Sequence, residues 1–326
     1  MPSTWQAELA DSFSHPRELL AYLALDPSGF PGLDAAAGRF PFRVTRNYAA
    51  RMRPRDPDDP LLRQVLPLGN ELAEQPGFVA DPVGDLAAVS GPGLLHKYRG
   101  RVLLIATGAC AIHCRYCFRR EFPYAGNLLG RAEERAALEH IAADPSIREV
   151  ILSGGDPLVL SDERLGRLVE ALAAVPQVER LRIHTRLPIV LPSRITAELA
   201  SCLASTRLKP VLVAHANHAQ EFAGEVGFAL ERLRQAGVVL LNQAVLLRGV
   251  NDSADALVRL SEALFGHGVL PYYLHLLDRA RGTGHFEVPE QRALELLRDM
   301  RERLPGYLVP KLVREVEGEP YKRPMG

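Results

Sequence analysis

Cysteine is scarce in this chain, with four in 326 residues. That is too few for a disulfide framework, which a reducing cytosol disfavours in any case. Neither sign of charge is in excess: Lys+Arg and Asp+Glu stand at 39 each. Binding to nucleic acid or to an acidic membrane surface needs a basic surplus, so neither partner is expected. No apolar run approaches the roughly 20 residues that span a bilayer. Residues 1–20 carry Glu8, Asp11 and Glu18 and lack the apolar centre of a secretory leader. A cytoplasmic protein is therefore expected. Sequence repeats and low-complexity segments are also missing. What remains is a chain near the length at which one hydrophobic core stops growing, so one large domain with an appendage is expected.

The chain changes rhythm near residue 95. Before it, residues 5–23 have helical spacing, with Leu9, Phe13, Leu19, Leu20 and Leu23 near one face. A Pro/Gly-rich passage follows over 27–41, then short helical pieces and a proline-broken loop at 53–60. Residues 1–95 read as a small helical cap. From residue 96, apolar and often β-branched runs recur at 102–107, 149–152, 180–184, 211–215, 238–242 and 270–276. Helical patterns lie between or after them at 131–143, 162–174, 195–205, 220–236, 254–265 and 290–304. Six βα units imply a parallel sheet covered on both faces. A (βα) barrel, closed or partial, and an open doubly wound sheet both fit. Either places chemistry at the C-terminal ends of the strands, where polar residues collect: the cysteines, Gly154-Gly155-Asp156, His184 to Arg186, His215 and Asn217, Asn242-Gln243, and Asp278.

Three of the cysteines, Cys110, Cys114 and Cys117, form CxxxCxxC directly after the first run of that series. Three thiolates can hold three corners of a [4Fe–4S] cube and leave one iron open, whereas electron-transfer clusters usually take four cysteines. Structural zinc prefers four Cys/His ligands in two pairs. No second pair exists, although His113 lies between the cysteines; Cys202 sits alone in a helical pattern. Zinc and a ferredoxin-type carrier stay open as alternatives. After the second run comes Ser153-Gly154-Gly155-Asp156-Pro157, two glycines that let the backbone come close to a ligand.

CxxxCxxC with Tyr116 before its last cysteine resembles the motif of the radical S-adenosylmethionine (SAM) enzymes. From about residue 90 onward the chain resembles the lysine 2,3-aminomutases among them, which also carry pyridoxal phosphate (PLP). The likeness is carried by Lys97-Tyr98, Arg101 to Leu104, Cys110 to Arg120, Ser153 to Leu158, and Arg186-Leu187-Pro188 with Leu191 to Ile195. It continues through His215-Ala216-Asn217-His218, Asn242-Gln243, Val245 to Asp252, Pro271-Tyr272-Tyr273, Asp278 and Gly318 to Lys322. The helical first part and short C-terminus look most like the branch that makes β-lysine for modification of elongation factor P.

That resemblance implies a partial (βα)6 TIM-like radical SAM barrel over 96–305, an N-terminal helical cap over 1–95 and a PLP-lysine segment over 306–326. It implies that Cys110, Cys114 and Cys117 hold the cluster, and that Ser153, Gly154, Gly155, Asp156, His215 and Gln243 serve SAM. Lys322 would bond PLP, with Arg101 and Lys97 at its phosphate; Lys97 matches an arginine of the family. Arg119 would grip the substrate carboxylate, and Asp278 and Glu315 the distal ammonium of L-lysine; Glu315 stands where the family has aspartate. The implied reaction moves the amino group from C2 to C3 to give (R)-β-lysine. A lysyl-transferring ligase acting on elongation factor P would use the product, and a flavodoxin- or ferredoxin-type donor would supply the electron. The same chemistry on another amino acid, such as glutamate, is the alternative, and a non-catalytic iron–sulfur or zinc protein is the third. Asp278 beside Arg279 and Arg281 admits a plain ion-pair reading.

Overall fold

Among the described residues, ten strands form one sheet in consecutive order, β1 to β10. They are β1 Val89–Gly91, β2 Leu94–Tyr98, β3 Arg101–Thr107, β4 Glu149–Gly154, β5 Arg180–Thr185, β6 Lys209–Ala214, β7 Val239–Val245, β8 Leu270–His275, β9 Lys311–Arg314 and β10 Arg323–Pro324. The computed structural model describes residues 4–326; the first three residues of the expected cap lie outside them. β3 through β9 run parallel. β1–β2–β3 and β9–β10 add antiparallel edges. The sheet thus begins before residue 96 and continues past 305, beyond the stretch where long β-branched runs announce it. It does not close, so the architecture is a partial TIM-like barrel.

Five of the six long helices start where a side chain can satisfy the first free amides or an acidic first turn suits the helix dipole; Val226–Gln235 has neither. Ser161, Thr196 and Ser253 each accept a backbone N–H two or three residues into their helices. Helix Asp162–Ala173 buries Leu165, Leu168, Val169 and Leu172, one stripe at 3–4 residue spacing. The pattern read over 5–23 divides into Thr4–Ala10 and Pro16–Tyr22, because Pro16 starts a new helix and Phe13 turns out to bridge Val44. The pattern over 220–236 divides at positive-φ Gly224 into a 3-10 turn, Ala219–Phe222, and helix Val226–Gln235.

One hydrophobic core runs from Trp5 in the cap to Leu312 in β9. The cap docks on the segment after β5: the Arg194 guanidinium lies 4.7 Å from the centroid of the Trp5 ring, and the Thr45 hydroxyl donates to the Val190 carbonyl. Further along, Val79 bridges to the loop after β8 through two amide bonds of 2.9 Å with Arg279 and Arg281. This places the segment before β1 across the C-terminal ends of the strands. No helix among the described residues is long and apolar enough to cross a membrane.

Candidate active site

The cysteine loop follows β3 and is pinned by the cap. The His113 amide donates to the Arg43 carbonyl at 3.0 Å, and the Arg115 amide to the Gln64 carbonyl at 2.9 Å. The Arg115 guanidinium, fully buried, donates to Glu71 at 2.6 and 2.8 Å, and Arg120 meets the same carboxylate at 2.8 Å. Residues 36–71 therefore form the wall behind the loop. All three cysteines are free thiols. Burial pushes the Cys117 thiol up to about 11, and the neighbouring Cys114 adds to this. Cys110 is raised by burial and by Cys117. Each of these two thiols also feels Cys114, so the three side chains lie within electrostatic range of one another. Among the described residues no three Cys, His, Asp or Glu side chains converge on a single ion. Three thiols on one loop suit a [4Fe–4S] cube, which takes one thiolate per iron, whereas structural zinc prefers four Cys/His ligands.

The two glycines at the end of β4 serve the cysteine loop directly. Gly154 has φ +123, and a Cβ there would lie 2.4 Å from the Thr107 carbonyl; one on Gly155 would lie 2.3 Å from the Ala109 carbonyl. The close approach argued from the sequence is therefore made to the chain itself. Asp156 turns its carboxylate inward, accepting from the Thr185 hydroxyl at 2.7 Å, the Arg186 amide at 2.7 Å and the Leu158 amide at 3.1 Å. It ties the ends of β4 and β5 together. Ser153 accepts a hydrogen bond from Arg119 at 3.0 Å.

Three imidazoles stand at strand ends around the lumen: His184 on β5, His215 after β6 and His275 on β8. None of their Nε2 atoms has a partner among the described residues. The rings of His184 and His215 meet edge-on, with centroids 5.7 Å apart. Burial lowers His215 to about 3 and holds His184 and His275 well below the ordinary range, so all three are neutral. Gln243 stands half-buried on β7, its register partner being Tyr273. Neutral, unpaired nitrogens facing a lumen suit a polar ligand.

A charged network closes the gap between the two ends of the sheet. Lys322 pairs with Glu315, and Glu315 with Lys97 at 3.1 Å. Lys97 also meets Asp85 at 2.5 Å and donates to the Val83 carbonyl at 2.8 Å, so its three donors are occupied. Asp85 in turn accepts from Arg119 Nε at 2.6 Å. Burial alone would raise Glu315, but Lys322 and Lys97 hold it far below the carboxylate range. Asp278 is different: burial first, then Glu315, push it up to about 7. The plain ion-pair reading of Asp278 fails, because Arg279 pairs with Glu287 and Arg281 with Glu121. Arg101 lies 4.5 Å from the centroid of the Tyr98 ring and makes no ion pair among the described residues, which leaves its guanidinium available to an anion.

Asp85 was not legible in the sequence. It lies in Asp81-Pro82-Val83-Gly84-Asp85, a loop without periodicity, and gains its meaning only when the chain sets it between Arg119 and Lys97. By holding Nε of Arg119 while Ser153 takes part of Nη1, it orients the rest of the fork. Asp85→Ala is expected to destabilise the protein by about 3–5 kcal/mol, as when one partner of a buried ion pair is removed; chemical unfolding measures it.

Acid should also destabilise the fold. His113 and His285 are lowered to about 4, chiefly by burial, and join the three lumen imidazoles as groups held neutral in the folded state. Their folded values lie below the unfolded value near 6.5, so unfolded chains take protons first as pH falls. Stability is full above about 6.5 and declines below it, by about 1.4 kcal/mol per imidazole per pH unit. Asp278, raised in the fold, works in the opposite sense and offsets about one imidazole. The unfolding midpoint is expected to be clearly lower at pH 5.5 than at 7.5.

A cysteine loop on β3 packed against a Gly-Gly strand end, at the mouth of a partial parallel barrel, is the arrangement of a radical SAM protein. The Radical SAM superfamily model matches residues 104–201. In fold, the chain is similar to a radical SAM methyltransferase from Sphaerobacter thermophilus, with TM-score 0.50 and 18% identity over 68% of each chain. The L-lysine 2,3-aminomutase of Escherichia coli (strain K12) is 48% identical, over 98% of this chain and 94% of that one. The Haemophilus influenzae protein of the same name is 45% identical, over 98% and 94%, and that of Acetoanaerobium sticklandii 36% identical, over 98% and 78%. The chain belongs to the lysine 2,3-aminomutase family, isomerases within the radical SAM superfamily. That superfamily implies a [4Fe–4S] cluster and SAM.

Proposed function

We propose that this protein is a PLP-dependent lysine 2,3-aminomutase that converts L-lysine to (R)-β-lysine, and that the product serves β-lysylation of elongation factor P. The observation that carries the reading is the meeting of Lys322, Glu315, Asp278, Asp85 and Arg119 at the mouth beside the cysteine loop. Arg119 offers Nη atoms to a carboxylate. Asp278 and Glu315 are acidic groups deep in the same region, suited to a cationic side chain and hostile to a glutamate side chain. With Arg119 for a carboxylate and these acids for an ammonium, the region suits a substrate charged at both ends.

Cys110, Cys114 and Cys117 would hold the cluster, and the Ser153–Gly155 strand end with His215 and Gln243 would receive SAM. Asp156 serves the same strand end as a positioning residue, through Thr185 and Arg186. Lys322 would bond PLP, with Arg101 as the phosphate anchor; Lys97 contributes chiefly by holding Glu315 and Asp85. When bound, PLP would supply the π-system that allows nitrogen to shift between adjacent carbons. The protein's own part is to fix the substrate at both ends, keep neutral imidazoles around the reacting region, and exclude water. The segment laced from Val79 to Arg281 provides that cover. On this reading the chain divides at residues 95 and 305 into cap, barrel core and PLP-lysine segment. It works in the cytoplasm with a flavodoxin- or ferredoxin-type electron donor and a lysyl-transferring ligase downstream.

The test is an anaerobic assay with L-lysine, SAM, PLP and a chemical reductant, scored by chromatography. β-Lysine as the main product is expected. Formation of 5′-deoxyadenosine with no β-lysine, together with turnover of another amino acid, would overturn the substrate assignment.

A further inference from the structure

Arg186 follows β5, and nothing above gives its side chain a task. It is almost wholly buried, yet its Nη1 is directed at the sulfur of Cys114 and touches it. Its Nη2 donates to the Tyr48 hydroxyl at 3.0 Å, to Gln64 Oε1 at 2.6 Å and to Glu221 Oε2 at 3.2 Å. The Tyr48 and Tyr116 rings flank the guanidinium, with centroids 5.2 and 5.7 Å away. Glu221 is held from its other oxygen by Gln64 Nε2 at 3.0 Å and by the amides of Asn217 and His218 at 3.0 and 3.2 Å. The cation is thus fixed from the cap side, from the β6 side and, through its own amide bond to Asp156, from the β4 side.

Burying an ion pair is costly, and an apolar pair of the same volume would often serve stability as well. What a guanidinium adds here is a positive donor aimed at one of the three cysteine sulfurs. The surroundings are dry, so its field is weakly screened.

We propose that Arg186 is a positioning residue that sets the reduction potential of the cluster through Cys114, with Glu221 as its counterweight. The proposal rests on the [4Fe–4S] reading of the cysteine loop. Reduction adds one electron from a low-potential donor to the cluster, with no bond formed or broken. The added negative charge spreads over irons and sulfurs. A cationic hydrogen-bond donor at a ligand sulfur stabilises that reduced form more than the oxidised one, and so raises the potential. The Glu221 carboxylate behind the guanidinium acts in the opposite direction.

The experiment uses the full chain reconstituted with iron and sulfide: the parent, Arg186→Gln, Glu221→Gln and the double variant. Iron and sulfide are counted, and the midpoint potential is read by EPR-monitored redox titration. Arg186→Gln is expected to lower the reduced-to-oxidised ratio at a fixed poise about tenfold, which is ~59 mV for one electron. Glu221→Gln is expected to shift it upward. The double variant, which leaves no orphaned charge, should lie below the parent. If Arg186→Gln does not hold a cluster, the upward shift in Glu221→Gln carries the test. Equal potentials in variants with full clusters, or single variants moving in the same direction, would overturn the proposal and leave the cluster reading standing. A parent that binds no four-iron cluster would overturn the cluster reading, and this proposal with it.

Discussion

Lys322→Ala is expected to abolish turnover, by about 10³-fold or more, the scale for losing a residue that bonds the reacting group covalently. It should also abolish the PLP mass that borohydride traps on the parent chain. The variant should fold, because Glu315 keeps Lys97 at 3.1 Å and is not left as an unpaired buried charge. Lys322 stands within the field of His184, His215 and His275, each of which it pushes further toward neutrality. The amine is held by Glu315 and largely shielded from solvent, although it rides on a terminal segment where a lysine is ordinarily just a solvated charge. Retention of the trapped mass in the variant would assign the PLP bond to another residue.

Asp278→Asn is expected to lower kcat/KM for lysine by roughly 10²-fold, in the range for losing one member of a buried charge pair. Its second effect separates it from a packing defect. Asp278 sits near 7 because burial and Glu315 disfavour its charge, while Lys322 and Lys97 partly compensate and Asp85 adds to the rise. The group is neutral below about 7 and charged above it. The substrate's distal ammonium stays charged to about pH 10. Activity in the parent should therefore rise with pH through about 7, and that limb should vanish in Asp278→Asn. Full lysine activity in the variant would show that the ammonium is held elsewhere. A gain in turnover of an acidic amino acid would favour the alternative substrate class.

The parallel part of the sheet was legible because buried parallel strands are continuous apolar runs, and those at 102–107 and 149–152 stand out against polar helices. The edge strands were not legible. Val89–Gly91 and Lys311–Arg314 are three and four residues long and carry no alternation strong enough to mark them. The site divides in the same way. The cysteines and the two glycines announce themselves by residue type and spacing. Arg186 stands out only as one of the polar residues at the strand ends, and Glu221, Gln64 and Tyr48 not at all: each is an ordinary polar residue until separate segments converge on the Arg186 guanidinium beside Cys114. Gly154 and Gly155 were recognisable as close-approach positions, but only the folded chain shows that Thr107 and Ala109 are what approach.

The Lys97–Glu315 pair joins residues 218 apart in sequence. Contacts of that separation form late, since a long loop must close before they gain anything. Synthesis runs from the N-terminus, so the cap, the cysteine loop and β4–β5 can assemble while the last segment is still being made. The charged closure of the sheet, with the lysine proposed to carry PLP, cannot. If Lys322 carries PLP as proposed, its site would be completed only after the cysteine loop has been made, because Glu315 and Lys322 lie about 200 residues further along the chain.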